Sequence, residues 1–122
     1  MPETTIRLRW DEKGLDRVNA AFSQEAVHVR ATFELGDHAW HASFKVKSDC
    51  SQDTVSLALQ VFGGVFQAVY EFLAVREPEM LVFVTDRADL AAHYRSHLEA
   101  ERAKIEALGY TIDLPALTLR QC

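Results

Sequence analysis

The amino-acid sequence predicts one α+β domain over residues 1–122, with a mixed, largely antiparallel sheet of about five strands and two long helices packed on one face. Three observations carry this expectation. Residues 27–46 hold two alternating apolar and polar runs about a Gly-Asp pair. Residues 54–74 hold a long apolar run whose polar positions recur every three to four residues. A short unbroken apolar run, Met80 to Thr85, then precedes a second amphipathic stretch. The order strand, hairpin, helix, strand, helix, strand is that of an α+β fold, and 122 residues suffice for one core without a metal or disulfide staple.

Ile6, Leu8 and Trp10 alternate with Arg7 and Arg9, which predicts a first strand with one face buried. Leu15, Val18 and Phe22 fall at helical spacing and predict a short helix between Leu15 and Ser23, although Gly14 and Asn19 weaken it. In the hairpin, Val27, Val29, Ala31, Phe33 and Leu35 alternate with His28, Arg30, Thr32 and Glu34, and Trp40, Ala42, Phe44 and Val46 continue the pattern. A two-residue turn at Gly36-Asp37 would pair Phe33 with Trp40, Ala31 with Ala42, Val29 with Phe44 and Val27 with Val46. It would also set Arg30 beside Ser43, Thr32 beside His41 and His28 beside Lys45. Burying the aromatic face is the favourable arrangement, since exposure would forfeit roughly 2 kcal/mol for each large ring.

Ser48 to Asp53 is a polar loop rich in helix-capping residues. From Thr54 to Ala74, the stripe Ser56, Gln60, Gly63, Gly64, Gln67, Glu71 and Ala74 marks the wet side of a mostly buried helix of ~31 Å. Gly63-Gly64 lowers its propensity, which points to a close backbone contact or a bend. Met80 to Thr85 predicts a strand buried on both faces and central in the sheet. Asp86 stands at an N-cap position, and a helix from Arg87 to Leu108 would bury Leu90, Tyr94, Leu98, Ile105 and Leu108, with Gly109 as its C-terminal cap. Tyr110 to Leu114, and Leu117 to Leu119 beyond Pro115, predict one or two closing strands, at least one at an edge.

The composition, 48% hydrophobic and 25% charged, is that of a globular protein. No basic segment with an apolar run opens the chain, and no stretch approaches the ~20 apolar residues of a membrane span, so the expectation is a cytoplasmic protein. Cys50 and Cys122 are too few and too peripheral for a disulfide framework; Cys122 could link two chains in oxidising buffer. A formal charge of −5 argues against nucleic acid as the main partner unless the few cations, Arg7, Arg9, Arg30, Lys45 and Lys47, gather locally.

Leu59 to Phe66, Phe72-Leu73, Pro78, Val82-Phe83, Tyr94 and Gly109-Tyr110, with Trp40-His41-Ala42-Ser43-Phe44 before them, resemble small uncharacterised proteins of tailed bacteriophages. Those read as aromatic-x-x-x-Phe, Val-Phe-x-x-Val, Pro, an apolar strand, Arg-x-x-Leu-Tyr and Gly-Tyr. At the fifth element this chain departs, with Ala91-Ala92-His93-Tyr94. The resemblance covers about residues 40–112 and implies provenance; it supplies no catalytic residues. The hairpin, the Gly-bearing helix and the Gly-Tyr are also similar to the acyl-coenzyme-A-dependent N-acetyltransferase fold. Gln60-Val61-Phe62-Gly63-Gly64 resembles its Gln-x-x-Gly-x-Gly pyrophosphate loop, which follows a strand and opens a helix. Here Val65 replaces the last small residue, and the glycines fall inside the predicted helix.

The candidate binding surface is the polar hairpin face: His28, Arg30, Thr32, His41, Ser43 and Lys45. His28 and His41 near Arg30 could bind an anion or act as acid and base. His93 and His97, four apart, could share a metal with Glu101, but no Glu follows His93 as the metalloprotease motif requires, and the helix is rich in charges, so no metal site is expected. No motif surrounds Cys50. No Ser-His-Asp elbow, Walker loop or paired catalytic carboxylates stand out, and no catalytic residue or cofactor is expected. The function expected is that of a non-enzymatic phage-type accessory protein that binds a protein partner, with inhibition of a host defence complex as one form. Its acidic charge would suit occupation of a basic nucleic-acid site. The open face could also hold a second copy of the chain. The alternative is a degenerate acetyl-coenzyme-A-dependent enzyme.

Overall fold

Alternation at period two sets the long strands. The computed structural model describes residues 7–24, 26–48 and 53–122. Its strands are β1 (Arg9–Glu12), β2 (Arg17–Gln24), β3 (Val27–Leu35), β4 (Trp40–Ser48), β5 (Met80–Phe83), β6 (Tyr110–Asp113) and β7 (Thr118–Gln121). Its helices are α1 (Thr54–Arg76), α2 (Ala88–Ala100) and α3 (Arg102–Ala107). The seven strands form one sheet in the order β1-β2-β3-β4-β5-β7-β6. Among the described residues, only β4 and β5 pair in parallel, over Trp40–Ala42 and Leu81–Phe83, and α1 lies in the crossover between them. The α+β class and the mostly antiparallel sheet are as expected; the strand count is seven, where the sequence predicts about five.

The largest difference lies at residues 15–23. The expected short helix is instead β2, because Val18, Ala20 and Phe22 also satisfy a strand period, and in the sheet all three are buried on one face. Leu15, which completed the helical pattern, is 92% exposed. Pairing with β1 on one side and β3 on the other overrides the local preference. The first strand is displaced to Arg9–Glu12, and the expected alternation at Ile6 lies outside the described residues.

The β3–β4 hairpin forms with its faces as expected but shifted by two residues. Phe33 faces Ala42, Ala31 faces Phe44, Val29 faces Val46, Arg30 faces Lys45 and Thr32 faces Ser43. The turn takes four residues, closed by the Gly36 N–H donating to the Ala39 carbonyl at 2.8 Å. A two-residue shift leaves every side chain on its face, so the apolar pattern is satisfied equally by both registers.

α1 spans the expected segment. Asp53 caps it, its carboxylate accepting from the Ser56 N–H at 3.0 Å and the Ser56 hydroxyl at 2.7 Å. By length and composition alone Ser56–Arg76 could cross a membrane, at a mean hydropathy of 1.4, where the sequence reading found no such stretch; over half of its most apolar window, 56%, is buried in the core. Gly63 and Gly64 sit mid-helix, and the helix runs unbroken through them. A methyl group on Gly63 would meet nothing within 4 Å. Gly63→Ala is therefore expected to raise the unfolding free energy by about 0.5–1 kcal/mol in urea denaturation.

The expected single helix from Arg87 to Leu108 is two helices. α2 stops at Glu101, whose backbone leaves helical geometry at φ −98° and ψ 10°. Its carboxylate is held from three sides: Tyr70 Oη donates to it at 2.7 Å, Lys104 Nζ stands at 3.3 Å and His97 Nε2 at 3.7 Å. The redirected α3 buries Ile105 completely, while Leu108 stays 40% exposed. Arg87, not Asp86, occupies the N-cap position of α2, and Thr85 Oγ1 accepts from its N–H. Gly109 ends α3 with φ +93°, a conformation costly for any other residue. The next residue, Tyr110, is buried and donates its hydroxyl to the Pro78 carbonyl at 2.7 Å, fastening β6 to the α1–β5 connection.

Both long helices pack on one face, as expected. α1 lies over β2, β3 and β4. Tyr94 of α2 reaches Phe62 of α1 at 5.3 Å and the sheet residues Phe83 and Phe44 at 5.8 and 6.0 Å. Phe33, Phe66, Phe72 and Leu81 are fully buried in the layer between. β5 is interior, paired on both sides, and β6 is an edge.

Candidate functional site

With the helices on the aromatic face, the opposite face of β1–β4 is open. Its side chains form rows across the strands. Arg9, Ala21, Arg30 and Lys45 make one row, each directly paired with the next. Ser23, His28 and Lys47 make the row beside it. Neighbouring strands stand ~4.8 Å apart, so both rows fall within the reach of one small ligand or one short chain segment. Ala21 is the small member, and the space above it opens into a groove of about 370 Å³ lined by Arg9, Ser23, His28, Arg30, Lys45 and Lys47. Ser23 Oγ lies 2.8 Å from His28 Nδ1, which holds the imidazole upright at the groove wall.

Four cations thus share one groove in a chain of formal charge −5. Like charges set opposite one another on adjacent strands are unfavourable, and Arg30 faces Lys45 directly. Among the described residues, no carboxylate pairs with Arg9, Arg30, Lys45 or Lys47; the ion pairs fall elsewhere, as at Arg87–Asp89, Lys13–Asp11 and Lys104–Glu101. The groove is positive by charge. Its hydrogen-bond donors are guanidinium and ammonium groups on a flat backbone support.

The six sequence-predicted residues divide between three places. His28, Arg30 and Lys45 line the groove. Thr32 and Ser43 face each other in the next row. His41 stands apart, opposite Glu34 and against the turn, where any side chain on Gly36 would collide with its ring at 2.6 Å. Along the strands His41 lies six positions from Lys47, the partner of His28, or ~20 Å. The two histidines therefore cannot act together as acid and base. Arg9 and Lys47 join the site, as does Ser23, a residue hidden from sequence reasoning by the helical reading of residues 15–23.

Comparison with protein-family models, with curated proteins and with solved structures gives no match. The remaining candidates are settled by geometry. Gly63-Gly64 cannot form a pyrophosphate loop, because helical bonds already occupy the surrounding N–H groups. At the start of α1, the Asp53 carboxylate takes the Ser56 amide that an anion would need. No group of three His, Cys, Asp or Glu side chains among the described residues could hold a metal ion. His97 packs its ring on Phe66 at 4.4 Å, and burial lowers its proton affinity. Asp89 accepts from the Leu90 N–H and pairs with Arg87, so it acts as a first-turn helix charge. Cys122 is exposed and free; Cys50 lies outside the described residues.

Proposed function

We propose that this chain is a non-enzymatic binding protein whose open sheet face receives an acidic segment of a partner protein. One observation carries the reading: Arg9, Arg30, Lys45 and Lys47 share a groove with no carboxylate of the described chain to neutralise them. A partner supplying carboxylates would relieve the like-charge opposition of Arg30 and Lys45 and form charge-assisted hydrogen bonds with the guanidinium groups. Nucleic acid is the weaker fit, because no exposed aromatic ring lines the groove to stack a base. A phage-type accessory protein acting on a host defence complex is compatible with this mode. The face then approaches its partner with positive charge, the opposite of an acidic decoy.

The test uses a short fluorescent poly-glutamate peptide, with single-stranded DNA of matched charge beside it. The peptide should bind in a salt-sensitive manner, and Arg30→Glu with Lys45→Glu should weaken it by at least about tenfold at low salt. The melting temperature should change little, since both side chains are exposed. Undiminished peptide binding to the double variant, or tighter binding of DNA, would overturn the reading. A large fall in stability would mean the face is covered. The enzyme alternative predicts that acetyl-coenzyme A raises the melting temperature; no shift is expected.

A further inference from the structure

The charges along the outer edge of β1 favour one register of pairing with its own copy. Among the described residues, β1 is the first strand of the sheet and has a neighbour only on the β2 side. Its ladder with β2 continues from the Lys13–Arg17 turn bond, so the peptide groups of Arg9 and Asp11 face β2, and those of Trp10 and Glu12 face outward. Exposed edges of this kind template pairing with another chain unless something in their sequence forbids it.

Antiparallel pairing of two identical edges requires a two-fold axis perpendicular to the sheet, and directly opposed residues then lie on the same face. Arg9 and Asp11 are on the open face; Trp10 and Glu12 are on the helix face. The registers that respect this centre on one residue facing its own copy. Centred on Arg9, two guanidinium groups collide. Centred on Asp11, two carboxylates face each other and Arg9 meets Lys13. Centred on Glu12, two carboxylates meet, each already paired with Arg76, while Asp11 faces the partner's Lys13. Centred on Trp10, Arg9 faces the partner's Asp11, Asp11 faces the partner's Arg9, and the two indoles meet across the axis. In that register the outward peptide groups of the two Trp10 residues bond each other. Within Arg9–Glu12, the Trp10-centred arrangement is the one that sets Arg9 against Asp11 twice and opposes no like charges.

The surroundings fit a second copy. Trp10 is 37% exposed although its ring stacks on Phe33 at 6.0 Å. Beside it lies a groove of about 250 Å³ between the apolar residues Trp10, Val18, Phe72 and Val75 and the charged residues Glu12, Glu71 and Arg76, and Val75 is 78% exposed. The competing Lys13–Asp11 ion pair is exposed at both ends and offers little resistance.

We infer that the protein forms a two-fold symmetric dimer through its β1 edges, centred on Trp10, which joins two seven-stranded sheets into one. The inference does not rest on the acidic-partner reading. If both hold, the axis keeps the two open faces on the same side, with Arg9 engaged at the seam and Arg30, Lys45 and Lys47 left to each groove.

Sedimentation velocity of the full chain carrying Cys122→Ser, which removes disulfide linkage, tests it from about 5 to about 200 µM, a range suited to a small interface. Wild type should pass from monomer to dimer. Arg9→Asp or Asp11→Arg alone should weaken the dimer by roughly tenfold or more, and the double swap should restore it. If a reversal lowers the melting temperature, the neutral Arg9→Gln and Asp11→Asn take its place with the same expected direction. A monomer at the highest concentration overturns the inference. So does a dimer indifferent to the single substitutions, or a folded double swap that fails to recover dimerisation.

Discussion

Phe72→Ala is expected to lower the unfolding free energy by about 3–5 kcal/mol, a third or more of the stability of a typical domain. The side chain is 1% exposed and lies over Phe33, which is fully buried, with ring centroids 4.2 Å apart and planes within 7°. Its other face meets Trp40 edge-on at 5.2 Å. Phe33 in turn holds Trp10 and Phe44 at 6.0 and 6.4 Å, so Phe72 ties α1 to the aromatic side chains of β1, β3 and β4, beside the direct links of Glu71 to Trp10 and Arg76 to Glu12. Truncation removes the transfer energy of the ring and leaves a cavity that a rigid sheet cannot fill. Chemical denaturation measures the loss, and the near-ultraviolet dichroism of Trp40 should flatten in the folded variant. Phe72→Leu should cost less than half as much, because most of the volume remains. A loss below about 1 kcal/mol for the alanine variant would show that the helix is anchored elsewhere.

The same packing explains which parts of the fold could be read in advance. In β3 and β4 the alternation is long and its two faces differ sharply in polarity, so the elements and their buried side follow from residue order. The register does not follow. A shift by two residues preserves the pattern, and only the conformation of the Gly36–Ala39 turn separates Phe33 facing Ala42 from Phe33 facing Trp40. In β2, Val18 and Phe22 are four apart and serve a helix or a strand alike. The decision comes from two neighbouring strands that local sequence does not show. The break at Glu101 is hidden for a related reason: Leu98 and Ile105 are seven apart and keep the helical rhythm across it, while the tertiary contact made there, with Tyr70 on another helix, is not visible in local sequence.

The candidate site divides along the same line. His28, Arg30 and Lys45 were legible because one hairpin carries them. Ser23, and the small Ala21 that makes the groove a groove, became part of it only through the β1–β2–β3 pairing. His41 was legible as a face residue but not as a distant one, because the turn length sets its position along the strand. Charge counting across the whole chain also concealed the site: a formal −5 is compatible with four cations in one groove when the carboxylates lie elsewhere.

The second large effect is expected at high pH. Burial of Tyr94 against Phe62 and Phe83 pushes its phenol up to about 12. In the unfolded chain the group would ionise near its ordinary value of about 10. The folded state therefore holds its proton where the unfolded state releases it, so this contribution is fully present below about pH 10 and is lost as pH rises from about 10 to about 12. Two pH units correspond to about 2–3 kcal/mol. Burial also raises Tyr70, reinforced by the Glu101 carboxylate that its hydroxyl donates to, and Tyr110 moves in the same direction. Deprotonation of exposed lysines over the same interval affects every variant alike, so the informative quantity is a difference. Urea unfolding of wild type and Tyr94→Phe should give similar stabilities at pH 8 and diverge toward pH 12, with the phenylalanine variant the more stable. Parallel curves would place the Tyr94 hydroxyl in contact with water and remove it from the aromatic layer that joins α2 to the sheet.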